Sequence, residues 1–496
     1  MTVVLACDLG GTSFRACLVD DSGQTQAQAV VPSPQASGSG GAAEIRPEDW
    51  WSAFTEATGQ LAQGEPALFG RVCGVSICGV TRSQVVLDAA GAAAGPAMTW
   101  LDTRASAMAA ELARVWAGRH PEVGQINAFH PLARLAWLKA QEPGLFQRIA
   151  TVVDPKDYLN FRLTGVAASD PISLARLISS SRPVAGFDLL SAAGLSDRIL
   201  PRILAPGDQV GIVVPDLPGA LGRLAGVPVF CCSNDTWAAV AGLGALRTGY
   251  AYNISGTTEV LGVMSEKPAS AEGLLTVDWG GLWQQGGPSL NGADTASWLL
   301  AMLGYGRAEV AATVEALLAL PRQPQPLLFL PYLQGERVPF WDPSLRGAFI
   351  GLGRHHGPAD LLWAMMEGIA MLNREVLGRA EAALGWQVGQ IRFGGGGAAN
   401  AAWSQIKADV CGRPVETCVA PEPGVLGAAS VAWTGLGRFA SLSAAQETLV
   451  RVRQRFVPDP AKAARYDSLH ALFRRSGEAL APVSHALVSM TASGLP

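Results

Sequence analysis

Charge is scarce in this chain. Asp, Glu, Lys and Arg make up 16% of its 496 residues, and the formal net charge is −4. No Lys/Arg run or basic stripe occurs, which argues against a nucleic-acid partner, because phosphate neutralisation needs clustered cations. The six His form no HExxH and no Cys/His cluster, so no zinc site is expected. The eight cysteines (Cys7, Cys17, Cys73, Cys78, Cys231, Cys232, Cys411 and Cys418) contain no CxxC pair. Their apolar neighbours make them read as buried free thiols of a reducing compartment. A run of about 18 apolar residues is also missing, so no transmembrane helix and no membrane partner are expected. Val4-Leu5-Ala6-Cys7 superficially resembles a lipoprotein cleavage box, yet no basic segment precedes it and the apolar run is too short for a signal peptide. The expected location is the cytoplasm.

What is present is bulk apolar material, 49% of the chain, enough for the two or three cores that this length predicts. A β-branched run, residues 2–7, ends in Asp8-Leu9-Gly10-Gly11-Thr12, and residues 14–20 return as a second strand. Residues 32–42 are a Gly/Ser-rich loop, and Pro47 opens a helix with Glu48 and Asp49 in its first turn. Residues 72–80 read as a buried strand, and 106–118 and 131–141 as helices, giving an α/β alternation. Near residue 245 the pattern restarts. Tyr250–Ile254 and Val260–Met264 flank Ser255-Gly256-Thr257-Thr258 as the first pair flanks Gly11-Thr12-Ser13. The chain therefore divides into related domains, 1–244 and 245–496. The second continues with strands 329–333 and 390–393, helices 361–384, 399–412 and 425–433, and a helical tail after about residue 440.

Several residues in this frame carry chemistry. Asp8 is a carboxylate at the end of an apolar strand, where ionisation is costly unless something uses it. The glycines after it let backbone N–H groups approach a phosphate, and Thr12 and Ser13 add hydroxyls. Asp8 is then suited to Mg²⁺ held through water; the same residues also suit a plain β-turn. Gly256, Thr257 and Thr258 repeat the donors, with Asn253 in place of the acid. Gly394–Gly397 follow a strand and open a helix, a place where backbone passes close to a nucleotide. The spacing of Gly394, Gly396 and Ala399, with Glu416 further on, also satisfies a loose dinucleotide-binding pattern. Asp235 stands after an apolar strand at a helix start, which suits either a general base or a helix N-cap.

The ordered blocks DLGGTSFRACLVD (8–20), WLDTR (100–104), PKDYLNFRLTG (155–165), SNDTWAAVAGLG (233–244), GERVPFWDPSLRGAFIGL (335–352), GGGGAANAAWSQIKADVCGRPV (394–415) and VLGAASVAW (425–433) resemble the FGGY family of carbohydrate kinases. The resemblance implies two actin-like (ribonuclease H-like) ATPase domains with ATP in the cleft between them. It makes Asp235 the base that activates a sugar hydroxyl and Asp8 the Mg²⁺ residue. Gly11, Thr12, Ser13, Arg15, Gly256, Thr257 and Thr258 become phosphate-side residues, and Gly395, Gly396, Ala398 and Asn400 line the adenosine pocket. Thr81, Arg82, Trp100, Asp102, Arg104, Asp235 and Trp237 face the sugar. Dimerisation is common in such families.

One loop departs from the pattern. Xylulokinase-like members carry Gly-Gln-Met-His-Gly where this chain has Gly79-Val80-Thr81-Arg82-Ser83. Arg82 suits a carboxylate on an acidic sugar, or a pairing with Asp102. The W-x-D-x-R block, Trp100, Asp102 and Arg104, points to a ketopentose such as xylulose. Other sugars, polyols and sugar acids stay open, as does a nucleotide-switched binding protein of the actin-like superfamily.

Overall fold

The computed structural model describes residues 1–306 and 309–492. The chain forms two compact units, one of Met1–Gly242 with Glu422–Val450, the other of Leu243–Pro421 with the segment from Arg451 onward. The sequence boundary at 244/245 assigned residues 422–450 to the second half; in the structure they pack with the first unit.

The first unit is built on a six-stranded sheet in the order Gln209–Ile212, Pro228–Asn234, Val72–Gly79, Val3–Leu9, Ser13–Asp20, Thr25–Pro32. The central three strands run parallel, and the hairpin and its third strand are antiparallel. Val3–Leu9 is buried on both faces, which is why it is apolar apart from Asp8 rather than alternating. Helices Pro47–Gly64 and Pro155–Thr164 contribute Trp50, Phe54, Leu61, Tyr158 and Leu159 to the core beside that strand. The helix Pro423–Gly435 lies over strands 3–9, 72–79 and 228–234.

The second unit repeats this plan. Its sheet has the order Leu275–Asp278, Trp283–Ser289, Glu259–Ser265, Tyr250–Ser255, Gln390–Gly394, Val415–Cys418, Val452–Phe456. Again a hairpin and a third strand are antiparallel, and two following strands join in parallel. The restart seen at residue 245 is thus a repeat of a whole sheet. Helices Pro358–Leu384 and Ala401–Cys411 contribute Leu377, Ala380 and Ala408 to its core, with Ile391 and Phe393. Pro358 in the first turn, and the Asp360 carboxylate accepting from Gly357 N at 2.9 Å, start the longer of the two.

Two sequence expectations change, and two strands are added. The tail after residue 440 is not all helix, since Val452–Phe456 adds an edge strand, and its neighbours are the helices Leu442–Leu449 and Ala463–Ala492. The strand expected at 329–333 stops at Leu330, because Pro331 has no N–H to donate. The third strands, 25–32 and 283–289, escaped notice because Gln, Thr and Gly interrupt their apolar pattern.

Candidate active site

Three parallel strands of the first unit end level with one another. Leu9 pairs with Gly79, and Gly79 with Asn234. That register brings Asp8, the Val80–Arg82 loop and Asp235 to one edge of the sheet.

Asp8 sits one residue before the end of its strand, paired with Arg15 across the hairpin and Cys78 beside it. Its Oδ1 is buried without a hydrogen-bond partner among the described residues. Burial and the charge of Asp235 lift the Asp8 carboxyl to about 7, against the opposing pull of Arg15. Arg15 itself is bound to Glu422, Nε to Oε1 at 3.0 Å. On the other side Gly424 is packed so closely that a Cβ there would come 2.3 Å from Asp8 Oδ2. An orphaned carboxylate oxygen beside a second carboxylate is a donor set that suits a divalent cation keeping most of its water. Gly11 and Thr12 form the exposed tip of the hairpin, closed by Gly10 N donating to Ser13 O at 3.1 Å.

Asp235 is the first residue of the helix Asp235–Gly242. The sequence left open whether it caps that helix. It does not: Asn234 Oδ1 accepts from Trp237 N at 2.9 Å and takes that duty. Asp235 Oδ1 accepts from Thr236 N at 2.6 Å and Thr236 Oγ1 at 3.2 Å. Burial pushes its pKa above the usual carboxylate range, while Thr236 and the Arg82 cation pull it back. Trp237, in the first turn of the same helix, is buried, and its indole N–H has no partner among the described residues.

The divergent loop is firmly held. Thr81 Oγ1 donates to Asp154 Oδ2 at 2.9 Å. Arg82 takes a left-handed backbone, φ 58°, strained for a residue with a Cβ. Its carbonyl accepts from Arg134 Nη1 at 2.6 Å, and buried Arg134 also donates to the carbonyls of Met98 (3.1 Å) and Thr99. The Arg82 side chain is exposed. Asp102 is fully buried and is spent on Arg104 and on Ala43 N (3.0 Å). Although burial opposes it, these bonds hold its carboxyl below the usual range. Arg104 further binds Glu44 and lies 4.5 Å from the Trp137 ring centre. Of the W-x-D-x-R block, Trp100 is thus the exposed member.

In the second unit, Gly256, Thr257 and Thr258 form an exposed hairpin tip, closed by Gly256 N donating to Thr258 O at 2.9 Å. Gly395, at φ 81°, presses against Ser255, where a Cβ would meet Ser255 O at 2.4 Å. That contact sets the glycine loop beside the hairpin. Gly396 has open space around it. Ala398 packs on the core, and Asn400 Oδ1 accepts from Trp403 N at 2.8 Å as the cap of helix 401–411. The register Ile254–Gly394, matching Leu9–Gly79, makes Asn253 the counterpart of Asp8. Glu416, the acid of the dinucleotide pattern, is buried between Arg392 (3.0 Å) and Arg455 (2.8 Å). It is not available to a ribose.

The profile of the FGGY family of carbohydrate kinases, N-terminal domain, matches residues 3–242, and that of its C-terminal domain matches residues 251–436. The chain belongs to this family. As an FGGY protein it is an ATP-dependent sugar kinase. It is similar to the xylulose kinase of Lactococcus lactis subsp. lactis (strain IL1403), 29% identical over the whole of both chains. The xylulose kinase of Escherichia coli (strain K12) is also 29% identical, over 97% of this chain and 99% of that one. Among solved structures, the xylulose kinase from Rhodospirillum rubrum superposes with a TM-score of 0.85 at 28% identity, covering 97% of this chain and 100% of the other.

Within the FGGY framework, several supporting residues were not singled out from sequence. Lys156, wholly buried, bridges Asp157 (2.5 Å) and Asp170 (2.8 Å), and Ser233 donates to Asp170 at 2.7 Å, bracing the strand that ends just before Asp235. Glu336, from the Gly-Glu-Arg block, accepts from Ser289 Oγ and Leu290 N, both at 2.9 Å. It fixes the turn whose Gly292 abuts the carbonyls of Gly256 and Thr258. The sequence signal was slight, adjacent opposite charges at Lys156-Asp157 and an acid in the Gly-Glu-Arg turn, and neither names its partner.

Proposed function

We propose that this kinase transfers the γ-phosphate of ATP to a hydroxyl of a ketopentose of the xylulose type, with Asp235 as the general base. The observation that carries this is Asp235 itself: a half-buried carboxylate relieved of capping by Asn234, with its basicity raised by burial, on the same sheet edge as Asp8 and Arg82. A base of that kind takes the proton of an acceptor hydroxyl as it attacks phosphorus. Asp8 would hold Mg²⁺, whose charge would offset that of the ATP phosphates. Thr12 and Ser13, and in the other unit Gly256, Thr257 and Thr258, offer N–H and O–H donors to phosphate oxygens. Gly395, Gly396, Ala398 and Asn400 give the adenosine a surface without protruding side chains. Arg82, Thr81, Trp100 and Trp237 orient the acceptor, while Asp102 and Arg104 stiffen the loop that carries Trp100. The xylulose kinases among the relatives support the ketopentose.

The test is ADP release from ATP-Mg²⁺ across ketopentoses, polyols and sugar acids, with Asp235→Asn as control. Removing a general base lowers kcat by about 10²–10⁴-fold, and because Asn is isosteric with Asp and its Oδ1 can still accept from Thr236, the variant should keep its melting temperature. A ketopentose response lost in Asp235→Asn is the expected result. A folded variant with wild-type turnover would remove Asp235 from the role. Preference for sugar acids would make Arg82 a carboxylate binder instead.

A further inference from the structure

A fully buried ion cluster joins the hairpin tip to the glycine loop. Glu259 follows the tip residues directly, and its backbone pairs with Ser255 on the other side of them. Its side chain points inward and is buried. Lys407 Nζ donates to Glu259 Oε1 at 2.7 Å and to Asn373 Oδ1 at 2.5 Å, and Asn373 Nδ2 donates to Glu259 Oε2 at 2.7 Å. The same ammonium lies 4.9 Å from the Phe393 ring centre and 5.4 Å from that of Trp403.

These partners sit on distinct elements. Lys407 is on the helix Ala401–Cys411, which the glycine loop leads into and Asn400 caps. Asn373 is on Pro358–Leu384. The cluster therefore locks the position of one phosphate-side segment, residues 256–258, to that of the adenosine-side segment, residues 395–400. A buried ion pair is a poor source of net stability, since desolvation consumes most of its attraction. What it supplies is geometry, because each hydrogen-bonding atom accepts its partner along few directions.

We propose that Glu259, Lys407 and Asn373 are positioning residues that fix the spacing between the Gly256–Thr258 tip and the Gly395–Asn400 loop, and thereby set the affinity for ATP. This rests on the reading that those two segments hold the nucleotide. None of the three residues is placed in contact with ATP.

The informative variant is Glu259→Gln with Lys407→Met. It removes both charges together, leaves Asn373 an amide to pair with, and changes little volume. It should therefore fold, with a melting temperature equal to or above wild type. The expected result is a rise of about tenfold in KM for ATP, a change worth 1.4 kcal/mol, with KM for the sugar unchanged and kcat reduced far less. Lys407→Met alone, which strands a buried carboxylate, should lower the melting temperature as well. A folded double variant with wild-type KM for ATP overturns the proposal. So does an equal rise in both KM values, which a merely loosened fold would give. A separate control, Gly396→Val, adds bulk where the chain leaves open space. If it too leaves KM for ATP unchanged, the assignment of the nucleotide segments fails rather than the role of the cluster.

Discussion

Asp8 ionises in the field of Asp235, which opens the helix after strand Pro228–Asn234, across Val72–Gly79 from the strand of Asp8. The folded Asp8 carboxyl titrates at about 7, above its ordinary 3.8. Its charged form is therefore disfavoured in the fold. Stability falls as pH rises from the unfolded value towards the folded one, and the loss is complete above it. In metal-free protein, Asp8→Asn should thus melt several degrees above wild type at pH 8, and the difference should vanish below about pH 4. Adding Mg²⁺ at pH 8 should raise the wild-type melting temperature and leave the variant where it was. Thermal unfolding at the two pH values, with and without Mg²⁺, checks all of this. At this scale Asp8, Asp235 and the hydroxyl-bearing tips were legible in the sequence, because a carboxylate or a Gly-Thr tip at a strand end is local. Asp102 and Arg104 were legible as a block, but their mutual pairing was not, since which polar groups are consumed by one another depends on packing.

The helix Pro423–Gly435 shows what small residues do at the scale of an element. Gly424 sits against Asp8, and a Cβ on Gly427 would lie 1.9 Å from the carbonyl of Ala238. These two helices approach backbone to backbone, and Asp235 begins the second of them. Gly427→Ala should destabilise the protein by about 1–3 kcal/mol through overpacking, read as a lower denaturation midpoint. Gly424→Ala should disturb the Asp8 carboxylate more than the fold, and a raised Mg²⁺ requirement in the ADP-release assay would report it. The helix read at 131–141 and the start read at Pro47 matched the structure, and the helix read at 361–384 begins one turn earlier, at Pro358. The edge strand 452–456 did not, because it is exposed on both faces apart from Phe456 and carries no apolar alternation.

At the scale of the whole chain, the first unit is made from two separated stretches, and the second from what lies between and after them. The helix 423–435 covers three strands of the first sheet, so residues 1–242 alone would expose that face. We expect a fragment of residues 1–242 to aggregate or to lack a cooperative melting transition. Gly242 and Pro423 are in contact, so a short Gly/Ser link from 242 to 422–450 should restore one. Circular dichroism melts of the two fragments make the comparison. The sequence showed the repeat through its hairpins but not this exchange of a segment, because residues 422–450 follow the second sheet's strands without any break in composition.

That discontinuity also orders events in time. Domains generally fold as they leave the ribosome, at about 5–20 residues per second. Here the first sheet is synthesised early, yet the helix that closes it is still about 180 residues away when residue 242 is joined. For that interval the nascent chain carries an uncovered apolar face, while the unit that starts later gains its own central strands. The last piece of the first unit is thus translated only after most of the second, and a ribosome pause between residues 242 and 422 would lengthen the exposure of that face to chaperones and to aggregation.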